Sequence, residues 1–417
     1  MQQKAILLLL IVLSATCLHA QQGWYQTDGT PNRNRYSDYS SNSYTPVYKS
    51  VNANVIPYSL VQHKTQKRTY GIALDMATKQ ESMVVFSADG SMKKVLDIPK
   101  DVDLLNVLPV LDSDENYYTV RRNKTNNSYF VMRSYVGTSN TPSNNVLFDT
   151  KTMNHIKALI YTDSGLVIAS GNYVVCVDGK SGTGKWVSNL SGLENDNIHF
   201  LLDGSNLYAL TSRGVSLIDL SNGKVKSASS TPTMPSFYQK YLTVGSNYIV
   251  VFDNVFINKY KVHVLDKNNL SKGNLVSVDL SFQGGASIDL SKCSNAMSIG
   301  TLNSFFMVCR AFDSYHALRF DVSNTTVSLG YQVDFNSLFG LPTTVCSNQI
   351  AEVYATTKAM FATACDSGLI LFTADGTQVP RKETQISVTL ATQVFGAYYN
   401  FFILTSNQGT TEFQSLQ

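Results

Sequence analysis

The chain has 417 residues and a formal net charge of +3, with 43% hydrophobic and 15% charged residues. This length allows two or three ordinary domains or one large β domain, and the apolar content is ample for a core. The small net charge gives no electrostatic drive toward nucleic acid or an anionic membrane, so we expect neither as a partner.

The first twenty residues have the pattern of a secretory signal peptide. Lys4 precedes an apolar run over residues 5–13, and small residues then lead to Ala20, after which cleavage is expected. The run is too short to span a bilayer, and no later segment approaches about 18 uninterrupted apolar residues. We therefore predict a signal peptide at 1–20, a polar irregular segment at 21–50, and a secreted, soluble chain without a membrane span.

Residues 51–417 are dominated by short apolar or alternating runs, separated by turns rich in Gly, Asn, Asp and Ser. The runs are rich in Val, Ile, Tyr, Phe and Thr, and no long stretch has the apolar spacing of a helix, so strands are favoured. They recur in groups roughly 40–55 residues apart, which is the period of four-stranded propeller blades.

The sequence therefore predicts an all-β fold, a single β-propeller of four-stranded antiparallel blades over 51–417. Eight blades is the favoured count and seven is the alternative. The last group, at 392–417, supplies only three strands. Because an unpaired sheet edge is a liability, we expect the N-terminal segment Val51–Val61 to supply the fourth strand and close the ring.

Two stretches show the repeat most clearly, residues 165–188 ("GLVIASGNYVVCVDGKSGTGKWVS") and residues 206–229 ("NLYALTSRGVSLIDLSNGKVKSAS"). Each has an apolar strand that ends in Asp, a turn containing Gly and Lys, and an outgoing strand. An Asp at the strand end can accept hydrogen bonds from the backbone N–H groups of the turn that it opens. Four copies place a structural Asp there: Asp178, Asp219, Asp266 and Asp321.

Within the first stretch, Gly179–Lys185 also fits the G-x-x-x-x-G-K pattern of a phosphate-binding loop. Such a loop needs a hydroxyl after the Lys and a helix whose N-terminus faces the phosphates. Trp186 replaces the hydroxyl, and the residues that follow lack helical spacing. We therefore predict a glycine-rich hairpin turn and no bound nucleotide.

The segment Tyr173–Trp186 resembles the repeat of quinoprotein-like (PQQ-repeat-like) β-propellers, in which an apolar strand ends in Asp and a turn leads to Thr-Gly-Lys and Trp. The resemblance covers most of the chain after residue 20, in degenerate copies. It implies a propeller in which Trp186 packs on the neighbouring blade. Quinone-dependent members carry adjacent cysteines and a calcium site. This chain has no Cys-Cys pair and no ligands that fit that pattern, so we expect no cofactor and no metal.

Five cysteines remain after residue 20, an odd number for an exported chain. Two stretches each open with Cys-Ser-Asn and close with an apolar run ending in Cys, which suggests the disulfides Cys293–Cys309 and Cys346–Cys365. Cys176 lies inside an apolar run and is expected to be a buried free thiol.

Candidate glycosylation sites also follow from an exported chain. Each is an Asn-x-Ser/Thr sequon without proline, and its use depends on a host that glycosylates. The candidates are Asn123, Asn126, Asn189, Asn269 and Asn324.

No catalytic residue set is apparent. The sequence has no HExxH, no close His pair and no G-x-S-x-G elbow. The acidic run Asp112–Asn116 lacks the Gly and the distal Glu of an EF-hand, so a polar turn between strands is expected there.

Three functions are compatible with these observations. The favoured one is a binding or scaffolding module that presents loops at one mouth of the ring to a protein or glycan partner. The alternatives are an enzyme with an unrecognised site in the central channel, including a quinone-dependent dehydrogenase, and a structural component of an extracellular coat or matrix. An exposed Cys176 that cross-links chains would favour the last. The oligomeric state is left open.

Overall fold

The computed structural model describes residues 38–39, 46–51, 55–62, most of 68–339, residue 346, and segments of 350–416. The gaps within 68–339 are short, the longest being 136–142, 191–197 and 230–240, and the described segments of 350–416 are 350–355, 359–365, 368–373, 393–397, 400–407 and 410–416. The signal peptide at 1–20 and most of the segment 21–50 fall outside the described residues. The described strands form eight sheets, numbered below in chain order.

Sheets 1 to 4 are built from strands that follow one another along the chain. Sheet 1 contains Val55–Gln62, Arg68–Asp75, Glu81–Ser87 and Met92–Asp97. Sheet 2 contains Val102–Leu104 and Val110–Leu111, which both pair with Asn116–Asn123, and then Tyr129–Tyr135 and Ser143–Asp149. Sheet 3 contains Ile156–Thr162, Gly165–Ser170, Tyr173–Val177 and Gly184–Asn189. Sheet 4 contains His199–Asp203, Asn206–Thr211, Gly214–Asp219 and Val225–Ser229.

Sheets 5 and 6 follow the same order, whereas sheets 7 and 8 each include an N-terminal strand. Sheet 5 contains Tyr241–Val244, Tyr248–Phe256, Lys259–Asp266 and Asn274–Asp279. Sheet 6 contains Met297–Ser298, Ser304–Ala311, Ser314–Val322 and Val327–Asp334. Sheet 7 contains Asp38–Tyr39, Ala351–Ala355, Ala359–Cys365 and Gly368–Thr373. Sheet 8 contains Gln393–Ala397, Asn400–Asn407, Thr410–Leu416 and Pro46–Val51. The described helices are short: the 3-10 helices Leu270–Lys272 and Leu290–Lys292, and the α-helix Phe335–Phe339.

The burial of a strand depends on its place in the sheet. In sheet 3, the second strand Gly165–Ser170 is buried at every position, whereas the fourth strand Gly184–Asn189 alternates between exposed and buried side chains after its first residue. A strand covered on both faces needs a continuous apolar run, and a half-covered strand needs only alternation. The sequence "GLVIAS" therefore suits an inner strand and "GKWVSN" an outer one.

The core consists of apolar layers between successive sheets. Separate clusters of buried side chains join sheets 1 and 2, 2 and 3, 3 and 4, 4 and 5, 5 and 6, and 6 and 7. Sheet 7 also contacts Gln393–Ala397 of sheet 8, and Thr410–Leu416 of sheet 8 contacts Val55–Gln62 of sheet 1. Sheets 1 to 7 are thus packed face to face in chain order, and sheet 8 contacts the first and the seventh.

The N-terminal strands differ from the sequence prediction. The fourth strand of sheet 8 is Pro46–Val51, which pairs antiparallel with Thr410–Leu416. The expected segment Val51–Val61 instead contributes mainly to Val55–Gln62, the first strand of sheet 1, where Val61 is fully buried. Val55–Gln62 pairs with Arg68–Asp75 in sheet 1, so the strand that pairs with Thr410–Leu416 is formed by residues nearer the N-terminus.

A second difference lies in the segment expected to be irregular, 21–50. Besides Pro46–Val51, it contains the short strand Asp38–Tyr39, which pairs in parallel with Tyr354–Ala355 at the edge of sheet 7. The segment is polar, and the partners of both strands lie more than three hundred residues away along the chain. No local pattern therefore indicated these strands.

Gly223 provides a test of the packing between sheets 3 and 4. It has φ +74°, and a Cβ there would lie 2.5 Å from Cε3 of Trp186. We expect Gly223→Ala to lower the free energy of unfolding by about 2–4 kcal/mol, because it adds a steric clash to backbone strain. The measurement is the urea midpoint.

The matched control is Gly273→Ala. Gly273 has a similar φ of +70°, but nothing lies within 4 Å of its added Cβ. Backbone strain alone should cost about 1 kcal/mol. Equal losses in the two variants would contradict the proposed contact with Trp186.

Candidate functional site

The loop that resembles a phosphate-binding sequence is a hairpin turn. Asp178 Oδ1 accepts hydrogen bonds from the backbone N–H groups of Lys180 (3.0 Å) and Ser181 (2.8 Å). Gly182 has φ +73°, and a Cβ there would lie 2.1 Å from the Leu147 carbonyl oxygen of sheet 2. The turn therefore satisfies its own N–H groups with a carboxylate and fits closely against the neighbouring sheet.

Trp186 anchors this hairpin to sheet 4. Its side chain is 9% exposed, and its Nε1–H donates to the Leu220 carbonyl at 2.7 Å. The indole packs among buried residues of sheets 3 and 4, including Cys176 and Leu220. Trp186 thus belongs to sheet 3 and packs against sheet 4.

Three of the four strand-end aspartates accept hydrogen bonds from the turn that follows them. Besides Asp178, Asp219 accepts from Ser221 N at 2.9 Å and Asp266 from Asn268 N at 2.9 Å. Asp75 of sheet 1 makes the same contact with Ala77 N at 2.9 Å, which the sequence comparison missed.

The fourth aspartate, Asp321, does not have the predicted role in a turn. It lies within the strand Ser314–Val322 and accepts from Ser304 Oγ at 2.5 Å and Arg319 Nε at 2.7 Å. Ser323 takes the turn role instead, because its Oγ accepts from Thr325 N and Thr326 N. The strand of sheet 6 simply continues past the position at which its relatives turn.

Tyrosine hydroxyls join the turns of neighbouring sheets. The Tyr118 hydroxyl of sheet 2 donates toward Asp112 Oδ2 (2.8 Å) and toward the Gly179 carbonyl of sheet 3 (3.0 Å). Burial, followed by the Asp112 carboxylate, raises the pKa of Tyr118 far above its usual range. Lys180 of the same sheet 3 turn forms an ion pair with Asp114 at 2.9 Å.

The contact recurs between sheets 4 and 5. Tyr208 donates to the Lys267 carbonyl at 3.2 Å, and Lys267 Nζ pairs with Asp203. In both cases the Tyr follows an Asn by two positions at the start of a second strand, Asn116–Tyr118 and Asn206–Tyr208. This Asn-x-Tyr spacing is visible in the sequence. The contact that it makes cannot be predicted from it, because the acceptor carbonyl lies in a turn of the next sheet.

The acidic run Asp112–Asn116 forms a polar turn. Asp112 Oδ1 accepts from the backbone N–H groups of Asp114 (2.9 Å) and Asn116 (2.8 Å). Glu115 has φ +64° and is 5% exposed, and its Oε1 pairs with Arg68 Nη1 of sheet 1 at 3.3 Å. Within the described residues, no group of three or more His, Cys, Asp or Glu side chains is arranged to hold a metal ion.

A group of polar side chains that sequence analysis missed lies across the second, third and fourth strands of sheet 5. His263 Nδ1 is 2.7 Å from Ser277 Oγ and 3.1 Å from Asn274 Nδ2, and His263 Nε2 is 3.2 Å from Asp253 Oδ2. His263 and Asp253 are each 7% exposed, whereas Ser277 and Asn274 are exposed. We call these four residues the His263 cluster. Strand pairing brings these four side chains together, so no local sequence motif predicted the cluster.

The structure contains the disulfides Cys293–Cys309 and Cys346–Cys365. They lie in the apolar layers between sheets 5 and 6 and between sheets 6 and 7. Cys176 is a free, fully buried cysteine, and burial raises the pKa of its thiol to about 11.

Four of the five sequon asparagines are exposed on strand ends and turns: Asn126, Asn189, Asn269 and Asn324. Asn123 is partly buried, and its Oδ1 accepts from Thr125 N at 2.8 Å. Their glycosylation stays a prediction. In the described part of the chain, no helix has the length and apolar character needed to cross a membrane.

Comparison with known proteins gives structural similarity without sequence similarity. No family model matches the chain, and no curated protein matches it. Among solved structures it is similar to the dihydro-heme d1 dehydrogenase NirN in complex with DHE, with 11% identity and a TM-score of 0.50 over 83% of this chain and 75% of that chain.

Two further structures are less similar. The β-propeller domain of the Trilobed protease from Pyrococcus furiosus has 10% identity and a TM-score of 0.42, over 76% of this chain and 96% of that chain. A chain of the Mitotic Checkpoint Complex has 10% identity and a TM-score of 0.43, over 72% of this chain and 82% of that chain.

At such identities the similarity shows the fold alone. Together with the series of packed sheets, most of them four-stranded and antiparallel, it places the chain among the β-propellers. The narrower assignment to quinoprotein-like repeats stays a prediction from Tyr173–Trp186.

Tyr118 tests the contact between sheets 2 and 3. We expect Tyr118→Phe to lower the free energy of unfolding by about 1–3 kcal/mol, because it removes the donor to a buried carboxylate. Tyr208→Phe, which removes a donor to a carbonyl only, should cost less, about 0.5–1.5 kcal/mol. Chemical denaturation measures both. A larger loss in Tyr208→Phe would contradict this ranking.

Asp219 gives a pH-dependent prediction. Hydrogen bonds from the Ser221 side chain and backbone, and then from Lys226, lower the pKa of Asp219 to about 2. Since the pKa is lower in the folded state, the carboxylate stabilises the fold above the unfolded pKa of about 3.9. That stabilisation is lost as the pH falls from about 4 to 2.

The measurement is an NMR titration of the Asp219 carboxyl. Ser221→Ala should raise its midpoint toward about 3.9, since it removes the largest contribution. The Asp266 midpoint in the same spectra serves as the internal control. An unchanged Asp219 midpoint would rule out Ser221 as the cause.

Proposed function

We propose that the chain is an exported, eight-bladed β-propeller that acts as a binding or scaffolding module for an extracellular protein partner. The eight sheets are its blades, and Pro46–Val51 closes the ring by pairing with Thr410–Leu416. Contacts of sheet 8 with both sheet 7 and sheet 1 support this closure. Export is supported by the signal-peptide pattern at 1–20 and by two disulfides, which persist in oxidising compartments.

Exposed apolar side chains on the outer strands carry the proposal of a protein partner. Among the described residues, the large apolar side chains with high exposure are Val146 (61%), Tyr173 (49%), Val187 (62%) and Val225 (42%). All four lie on the last or the last but one strand of sheets 2, 3 and 4, which are consecutive. Single exposed apolar residues are ordinary, but a concentration on neighbouring strands favours an interaction surface. We call these four residues the rim patch.

The rim patch favours a protein over a glycan. Valine side chains offer apolar area without hydrogen-bonding groups, which suits burial against protein. It also moves the expected contact from a mouth of the ring to its outer edge.

The coat or matrix alternative depended on an exposed Cys176 that cross-links chains, and the structure does not favour it. Cys176 is buried, and its raised pKa keeps the sulfur as a neutral thiol near pH 7. A thiol in that state does not readily form a bond with another chain. An enzyme in the central channel is not favoured by any contact among the described residues.

Site-specific photo-cross-linking tests this function. A photoreactive amino acid at Val187 should give one discrete protein adduct in the native extracellular fluid. The same group at Ser328, an exposed position on the outer strand of sheet 6, is the matched control and should give none. Val146→Asp with Val225→Asp should reduce the Val187 adduct at least about tenfold. Equal adducts at both positions, or none at Val187, would overturn the proposal.

A further inference from the structure

We propose that the His263 cluster is a hydrolytic site for small carboxylic esters, with Ser277 as nucleophile and His263 as general base. This activity goes beyond the proposed binding function and uses a different sheet from the rim patch. The sequence contains no motif for it, because its members come from three strands of sheet 5.

Strand pairing brings the four side chains onto one face. His263 lies directly opposite Ser277 on one side and opposite Val251 on the other. Asp253 is two residues beyond Val251, so it shares that face. The register shifts between Val264 and Leu265, which inserts an extra residue into the fourth strand and brings Asn274 within reach of the imidazole.

The hydrogen-bond partners define the tautomer of His263. A carboxylate can only accept, so the ring nitrogen facing Asp253, Nε2, carries the hydrogen. Nδ1 is then unprotonated and accepts the hydroxyl hydrogen of Ser277 at 2.7 Å. This is the arrangement in which a histidine can remove a proton from a serine.

The cluster combines a buried base and carboxylate with an exposed serine and asparagine. His263 and Asp253 are 7% exposed, so the ring and its carboxylate are held in place and partly shielded from water. Ser277 and Asn274 are exposed on the outer strand, where a substrate can reach them. Asp253 is a positioning residue, since it acts on the substrate only through His263.

The reaction balances with water as the only co-reactant. Ser277 Oγ bonds to the ester carbonyl carbon while its proton passes to His263 Nδ1. His263 returns that proton to the departing alkoxide as the carbon–oxygen bond breaks, which leaves an acyl-serine and an alcohol. Water, deprotonated by His263, then releases the carboxylic acid and restores Ser277.

Asn274 is placed to stabilise the oxyanion. Its Nδ2 lies 3.1 Å from His263 Nδ1, the same ring nitrogen that the Ser277 hydroxyl contacts. Once Nδ1 is protonated it no longer accepts a hydrogen bond, and the amide can donate to the negative oxygen of the tetrahedral intermediate. A side-chain amide is an established donor for this purpose.

A fluorophosphonate probe tests the nucleophile on the full chain. Ser277 Oγ displaces fluoride from phosphorus, and peptide mass spectrometry should find the phosphonyl group on Ser277. Ser277→Ala should abolish labelling, and His263→Gln should slow it by at least about 100-fold. Ser227→Ala is the matched control: Ser227 lies on the outer strand of sheet 4 opposite Leu217 and should not affect labelling.

Hydrolysis of p-nitrophenyl acetate separates positioning from structure. Asp253→Asn should lower kcat by at least about 100-fold with little change in KM, because the carboxamide no longer enforces the tautomer. Asn274→Ala should lower kcat by about 10-fold or more while Ser277 still labels.

Unlabelled Ser277 in the folded wild-type chain would overturn this proposal, as would labelling that persists in His263→Gln. If His263→Gln does not fold, Ser277→Ala, which removes one exposed oxygen atom, still decides whether hydrolysis depends on the serine. The rim patch is untouched in all of these variants, so loss of esterase activity with an intact Val187 cross-link would separate the two functions.

Discussion

The packing of successive sheets against one another, which places sheets 2 to 6 each between two others, is the constraint on which the rest of this structure depends. Such a sheet has no solvent-facing side, so its inner strands lose the apolar–polar alternation of a half-exposed sheet. The second strands of sheets 3 and 6 show this, being buried at all or nearly all positions. Sheet-to-sheet burial removes large apolar areas from water, which makes it the dominant stabilising contribution. A polar group within these layers needs a partner, as Arg121 has in Glu81, and others lie at the turns and outer strands.

The turns show how those polar groups are satisfied. Carboxylates such as Asp178 and Asp219 accept N–H groups of their own turns, and hydroxyls such as Tyr118 and Tyr208 donate to the next sheet. The first contact shapes a hairpin, whereas the second fixes neighbouring sheets relative to one another. Trp186 also joins neighbouring sheets, because its ring packs in the apolar layer between sheets 3 and 4 and its Nε1–H donates to the Leu220 carbonyl. The stretch that resembles a phosphate-binding loop is therefore part of the joint between two sheets.

Local patterns predicted much of this fold. The recurring strand–turn–strand units, the Asp at the turn of sheets 3 to 5 and the pairing of four cysteines all depend on residues close in sequence. What the sequence could not show depends on pairing at a distance. Pro46–Val51 finds its partner at the other end of the chain, Asp321 changes role because its strand runs longer, and Ser277 meets His263 only through the strand register.

The position of the His263 cluster follows from the same constraint. Inner strands have both faces committed to apolar layers, so a charged pair there would be costly unless fully paired. In sheet 5, Asp253 on the second strand and His263 on the third are buried and paired with each other, whereas Ser277 and Asn274 on the fourth strand are exposed. The ladder holds the backbone of all three strands, so the side chains are aligned without a loop. In sheet 5 the strand register, rather than a loop, therefore aligns the side chains on which the proposed hydrolysis depends.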